Sequence, residues 1–346
     1  MIAIIGEIKT TVSLKLDTPE RDIEKQKRQD EEALLQAGID INEMKKEGQP
    51  SEESPEDARF RAYYESKMRE QAGENYWSQV GFGSGDFGGY SAVANDAADI
   101  KVTNSGCAYG VALALGKTDC DDKPEVSFVS VVGNDATGIA ATEELKRAGV
   151  DVSGVRIAEG TTPVEIEIHN FMGDLMFCRE NNRLTDLLTP EFIRENEEAL
   201  NGADDIFVDG SLPVETLNYI SDRYAGKCRL YFSPGSMKGA AAFANSDMAP
   251  MCVMSDRMEA EVMTGLQILG MEQLMAAGEA FGERGVAKAL INLKAGGFYY
   301  KDGTDAGIVK PERELSSEVE SAGNAVSARI LMEISRGCSL KEAVFK

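Results

Sequence analysis

One histidine, one tryptophan and no closely spaced cysteine pair in 346 residues remove several chemistries at the outset. His169 follows the alternating run Val164-Glu165-Ile166-Glu167-Ile168, where a strand residue with a structural role is expected. With one histidine and no CxxC pair, a zinc site is not expected. The six cysteines, at 107, 120, 178, 228, 252 and 338, carry no disulfide spacing and are expected as buried thiols of a reducing compartment. Positive charge is scarce too: 36 Lys and Arg against 59 Asp and Glu leave a net charge of -23. That field repels phosphate backbones and anionic headgroups, and no local basic patch offsets it. Neither nucleic acid nor a membrane surface is therefore an expected partner. Met1-Ile2-Ala3-Ile4-Ile5-Gly6 is apolar but far too short to span a bilayer, and no basic segment precedes it. It reads as the buried first strand of a cytoplasmic protein.

What is present is ordinary for a globular chain. A hydrophobic fraction of 42% supports a sizeable core, and the length holds one large α/β domain with an accessory lobe, or two domains. The composition shifts after Asp17. Thr18-Pro19-Glu20 and Ser54-Pro55-Glu56-Asp57 each offer an N-cap followed by proline at the first helical position. They predict helices over 19–37 and 55–72, joined by a polar connector over 45–53. The pair reads equally as a solvated hairpin or as a docking surface for a partner. The glycine-rich run 81–89 lacks the lysine and serine or threonine of a Walker loop, and no apolar strand runs into it, so a flexible loop is expected there.

Beyond Asn104 the pattern alternates. Apolar runs predict strands over 126–132, 164–168, 205–208, 230–232, 251–254, 289–293 and 297–300. Helices are predicted over 138–148, 190–199, 213–224, 257–264 and 271–284. Strands alternating with helices call for a largely parallel sheet covered on both faces.

Val131-Val132-Gly133-Asn134-Asp135-Ala136-Thr137-Gly138, followed by Leu145 and Ala148-Gly149-Val150-Asp151, resembles a signature of the ribokinase (PfkB) family of carbohydrate kinases. Thr162-Pro163 opens the next strand as a threonine commonly does in that family. The resemblance implies a three-layer α/β/α fold with a mostly parallel central sheet and a modified, helix-containing lid. Its core would comprise 1–17 and 104–346, and the acidic helical insert and glycine-rich loop of 18–103 would stand in place of the lid. Members of that family normally continue through further helical structure after the helix expected from Ala325, whereas this sequence ends at Lys346.

The same resemblance assigns a site. Asp256-Arg257-Met258-Glu259 looks like the family's Asn-x-x-Glu element, with Glu259 the implied Mg²⁺ residue and Asp256 in place of asparagine. Lys294 and Gly297, in Asn292-Leu293-Lys294-Ala295-Gly296-Gly297, would lie beside the nucleotide phosphates. Glu318-Val319-Glu320-Ser321-Ala322-Gly323-Asn324 occupies the place of Asp-Thr-x-Gly-Ala-Gly-Asp. Ala322 and Gly323 would there form an anion-binding turn before a helix beginning at Ala325, with Asn324 at the catalytic aspartate.

On the substrate side, Ser105-Gly106 begins a Gly-Gly-x-x-x-Asn-like element whose asparagine has become Gly110. The sugar-binding aspartate falls near Thr10, and Ser233-Pro234-Gly235 replaces Asp-Pro-Asn. An amide cannot accept a proton at neutral pH, so the implied function is a catalytically impaired homologue acting as a binding, regulatory or partner subunit. Such a subunit would form a homo- or hetero-oligomer with a kinase relative. Two alternatives stand beside it: an active ATP- and Mg²⁺-dependent sugar or nucleoside kinase using Glu320 or Glu318 as base, and a small-molecule sensor. Without activity, no cofactor is required.

Overall fold

β1 (Ile2–Ile5) is buried at all four positions, with Ile2 and Ile4 in one core and Ala3 and Ile5 in another. A strand apolar on both faces belongs inside a sheet covered twice. The computed structural model describes residues 1–16, 98–120, 122–169, 175–181, 183–310 and 319–345. The helices expected over 19–37 and 55–72, their connector and the run 81–89 lie outside the described residues.

β1 pairs in parallel with β4 (Val126–Gly133) on one side and β8 (Asp205–Asp209) on the other. Beyond β4 comes β5 (Asp151–Ala158). Beyond β8 come β9 (Arg229–Ser233), β10 (Cys252–Asp256), β11 (Lys288–Asn292), β12 (Phe298–Asp302) and β13 (Asp305–Val309). Pairing is parallel from β5 to β11 and antiparallel for β12 and β13. Helices Cys107–Lys117, Ala136–Arg147, Val319–Ser335 and Leu340–Phe345 supply the core on the Ile2 face. Helices Pro190–Glu195, Val214–Tyr224, Met237–Ala244, Arg257–Thr264 and Met271–Glu283 supply the other. The three-layer α/β/α expectation is met.

A second sheet has the order β3 (Ala98–Ser105), β2 (Lys9–Leu16), β6 (Val164–His169), β7 (Leu175–Asn181). The chain divides into two compact units. One is Met1–Val12, Val102–Glu165 and Arg179–Lys346; the other is Ser13–Lys101 and Ile166–Cys178. The smaller unit thus takes in Ile166–Cys178 as well as the stretch expected to stand apart. Within it His169 pairs with Glu167 at 3.0 Å, a strand residue as expected.

Among the described strands, five escaped the apolar-run criterion: β2, β3, β5, β7 and β13. β5 and β13 are the two edges of the large sheet, where one flank faces solvent and a continuous apolar run is not needed. The helix expected over 190–199 is two, Pro190–Glu195 and Glu197–Leu200, which meet at Asn196 (φ -103, ψ 18), whose side-chain amide donates to the Phe192 carbonyl. All six cysteines are free, yet only Cys252 is fully buried, so the expectation of buried thiols holds for that one.

The Gly133-x-Asp135-x-x-Gly138 signature has a physical reading. The Asp135 carboxylate caps the Ala136–Arg147 helix by accepting the Gly138 N–H at 2.8 Å. It also accepts the Thr162 N–H at 2.7 Å and the Thr162 hydroxyl at 2.8 Å, while Thr162 Oγ1 accepts the Gly133 N–H. A Cβ on Gly138 would stand 2.5 Å from Thr162 Oγ1, so only glycine lets the strand end, the helix start and the next strand meet. Burial works to raise the Asp135 pKa, but the hydrogen bonds from Gly138, Thr162 and Thr137 outweigh it and bring it down to about 2. A depressed folded-state pKa contributes stability above the unfolded value of about 3.9, lost as pH falls toward the folded one. Replacing Asp135 by alanine should cost about 1–2 kcal/mol at pH 7, the loss of a helix cap. Urea unfolding at several pH values should show that deficit shrinking below about pH 4; a deficit constant with pH would contradict the assignment.

Candidate functional site

From β1 the chain moves to β4 on one side and only later returns to β8 on the other, so the winding direction reverses at β1. Open α/β sheets bind ligands outside the carboxyl ends of the strands at such a reversal. Gly6 and Glu7 follow β1 there. Asp209 closes β8, Ser233 closes β9, Asp256 closes β10 and Asn292 closes β11.

Asp209 is buried and fully engaged. Its carboxylate accepts the backbone N–H groups of Glu7 and Ala108, each at 3.1 Å, and both the N–H and the hydroxyl of Ser211. Burial raises its pKa, and these hydrogen bonds oppose the rise. Cys107, next to this carboxylate, has its thiol pushed up by burial and by the Asp209 charge.

The Glu7 side chain is 11% exposed and differs from Asp209 in having capacity to spare. Lys9 Nζ stands 3.7 Å from Glu7 Oε1, and among the described residues no donor hydrogen-bonds the Glu7 carboxylate. Burial pushes its pKa up to about 7; Lys9 opposes this, and Asp209, Glu180 and Glu165 add to it.

Lys9 pairs with Glu165 at 2.8 Å, Glu165 also accepts from the Thr11 hydroxyl, and Thr11 meets Ser105. Strand alternation puts Lys9 and Thr11 on this face and Thr10 on the other. The Thr10 hydroxyl, expected on the substrate side, is buried with no partner among the described residues.

Asp256 and Glu259 form a reciprocal cap at the start of the Arg257–Thr264 helix. Asp256 Oδ1 accepts the Glu259 N–H and Glu259 Oε2 accepts the Asp256 N–H, both at 2.8 Å. One oxygen of each carboxylate stays outside this pair. Burial, then the neighbouring Asp256 charge, raise the Glu259 pKa to about 7. Lys294 is exposed, with φ 54, in a short 3-10 turn that its N–H fastens to Asn292 Oδ1; Gly297 follows at φ 92.

Two more of the expected positions, Gly110 and Asn324, meet each other. Gly106 caps the Cys107–Lys117 helix at φ 117, and Gly110 lies one turn on. A Cβ on Gly110 would fall 2.2 Å from Asn324 Nδ2, 2.7 Å from its Cγ and 2.8 Å from its Cβ. The Asn324 side chain therefore fills the space that a residue at 110 would use.

The expected turn at 322–324 is corrected by the structure, because the helix begins at Val319 and runs to Ser335. Ala322, Gly323 and Asn324 are helical, so the N–H groups of Gly323 and Asn324 fall beyond the four left open at a helix start. The sequence allows the longer helix, since one glycine remains where the family motif has two. Glu318 and the side chains of Glu320 and Ala322 lie outside the described residues.

Lys9, Thr11, Asp209 and a role for Glu7 were missed from sequence. The available signal was an acid directly closing an apolar strand, as in Asp205-Ile206-Phe207-Val208-Asp209. Gly110→Ala should destabilise the protein by about 1–3 kcal/mol, the range for forcing atoms into a packed contact. In an Asn324→Gly background the same change should cost markedly less. Additive melting effects in that double-mutant cycle would deny the contact.

Comparison with known proteins agrees with this arrangement. A family model described as pfkB family carbohydrate kinase matches residues 84–346. Pseudouridine kinase of Escherichia coli (strain K12) is 23% identical over 268 residues, covering 75% of this chain and 83% of its own length. Guanosine-inosine kinase of Exiguobacterium acetylicum is 24% identical over 259 residues, covering 72% and 83%. The structure of Arabidopsis thaliana ribokinase complexed with ribose and ATP superimposes with a TM-score of 0.63 at 14% identity, over 99% of this chain and 88% of that one. With that match over most of its length and a ribokinase-like sheet to carry it, the chain belongs to the pfkB family of carbohydrate kinases.

Proposed function

We propose that this protein is a PfkB-family homologue whose phosphoryl-transfer step is weakened, and that it serves as a ligand-binding or partner subunit. One observation carries the reading: Asn324, at the place the family resemblance gives to the proton-accepting aspartate, is an amide lying against Gly110. The similarity to pseudouridine and guanosine-inosine kinases supports a nucleoside or its sugar as the ligand class. A homo- or hetero-oligomer with a kinase relative would supply the chemistry this chain has lost.

PfkB kinases use ATP and Mg²⁺, and the donor set here fits them. Asp256 and Glu259 each keep a carboxylate oxygen outside their mutual cap, and hard cations prefer such oxygens. Bound there, Mg²⁺ would neutralise phosphate charge. Lys294, exposed on its turn, would hold a phosphate group by charge.

Removing a general base typically costs about a hundred- to ten-thousand-fold in rate. With ATP, Mg²⁺ and a panel of ribose, pseudouridine, guanosine and inosine, Asn324→Asp should therefore transfer phosphate at least a hundredfold faster than the wild type (~10²). A wild-type rate equal to that of the variant would defeat the proposal.

An active kinase with another base is favoured by one feature, the Glu7 carboxylate, which lies in the same crevice with no hydrogen bond among the described residues. A base titrating near neutral pH suits proton transfer, and burial holds Glu7 there. On that reading Glu7→Gln abolishes whatever transfer the wild type shows, together with the limb of its pH–rate profile near neutrality. Unchanged wild-type turnover in Glu7→Gln removes Glu7 from consideration.

A further inference from the structure

One histidine and no CxxC pair argue against zinc along the sequence, but strand pairing brings together what spacing does not. Glu167 and His169 alternate onto one face of β6, and Cys178 stands on the neighbouring strand β7. The Glu167 carboxylate and the Cys178 thiol present ligand atoms within 4.8 Å of each other. His169 Nε2 lies 3.0 Å from Glu167 Oε2. All three residues belong to the smaller compact unit.

These separations suit ligands of one ion. Zinc holds carboxylate oxygen and imidazole nitrogen at about 2.0–2.2 Å and thiolate sulfur at about 2.3 Å, in tetrahedral geometry. Oxygen and nitrogen so placed stand about 3.3 Å apart, and oxygen and sulfur about 3.5 Å apart. The Glu167–His169 pair is already close to the first value, and the Glu167–Cys178 pair is within a small side-chain rotation of the second.

Charge points the same way. Glu167 is 9% exposed, and among the described residues its carboxylate has one partner, His169, on Oε2. Glu165, two residues back on the same strand face, has Lys9 at 2.8 Å, whereas no lysine or arginine among the described residues reaches Glu167. Buried carboxylates are retained where they are paired or coordinate a metal. The donor set then selects the ion: thiolate and imidazole suit zinc, while magnesium takes oxygen ligands.

We propose that Glu167, His169 and Cys178 form a zinc site that clips β6 to β7. Glu167 gives one carboxylate oxygen, His169 gives Nε2 while keeping its proton on Nδ1, and Cys178 gives its sulfur after releasing the thiol proton to solvent. The fourth position is left to water.

The test uses the full chain, stripped with a chelator and titrated with Zn²⁺ against a chromophoric competitor, and separately with Co²⁺ as a spectroscopic probe. The wild type should take up one tight equivalent of zinc that Cys178→Ala and His169→Ala each weaken at least tenfold (~10), the scale on which even outer partners of a metal site act. Bound Co²⁺ should show thiolate-to-cobalt charge-transfer absorption in the wild type and none in Cys178→Ala. Zinc should raise the melting temperature of the wild type and leave that of Cys178→Ala unchanged. Where Cys178→Ala does not fold, Cys178→Ser replaces it and should lose the charge-transfer band in the same way. No tight zinc equivalent in the wild type overturns the proposal. So does zinc affinity unchanged in folded Cys178→Ala or His169→Ala, which would put the ion at another thiol or at the acidic pair Asp256 and Glu259.

Discussion

The Asp209 carboxylate, at the end of β8, holds the crevice in shape. It is buried, and it accepts hydrogen bonds from Glu7 after β1, from Ala108 in the first turn of the Cys107–Lys117 helix and from Ser211. A buried charge is tolerated only when its lone pairs are taken up, and here two backbone segments and a turn are spent doing so. Gly6 feels the consequence: a Cβ there would fall 2.3 Å from the Asp209 carboxyl. Because Asp209 fixes both the Glu7 turn and the helix start, it also sets where Gly106 and Gly110 stand, and through Gly110 where Asn324 lies.

The polar groups around Asp209 divide by how far their hydrogen-bonding capacity is used. Asp209 is saturated. Lys9, Glu165, Thr11 and Ser105 bind one another, so polarity here is consumed internally. Glu7 and Asn324 keep theirs. Asp256 and Glu259 use one oxygen each in a helix cap and keep the other. A crevice built for phosphoryl transfer needs a base and an open helix start aimed at the phosphate. The helix beginning at Val319 absorbs the residues expected to form that start. On the proposed reading, the groups that stay available would hold a ligand and a cation.

Much of the fold was legible. The strands β4, β8, β9, β10, β11 and β12 were visible as short apolar runs because each is buried in the sheet. The signature around Asp135 was visible because one carboxylate must satisfy a helix start and Thr162 at once, which constrains residue types at close spacing. Edge strands were not visible, since β5 and β13 need no apolar run. The site was legible as separate landmarks: Glu259, Asn324 and Gly110 could each be placed by resemblance. That the last two touch could not be read, because 214 positions separate them in sequence and only helix packing joins them (324 − 110).

By itself the sequence determined the alternation of strands and helices, the family, and the chemical identity of each landmark: an amide where a base is expected, a bare backbone where an amide is expected. These follow from side-chain type and local spacing, which need no coordinates. The tertiary structure decided what those identities mean together. It turned Thr11 rather than Thr10 toward Glu165, because a strand presents alternate residues to opposite faces. It extended the Val319–Ser335 helix through Asn324. And it seated that amide on Gly110, because two helices approach this closely only where one of them carries no side chain.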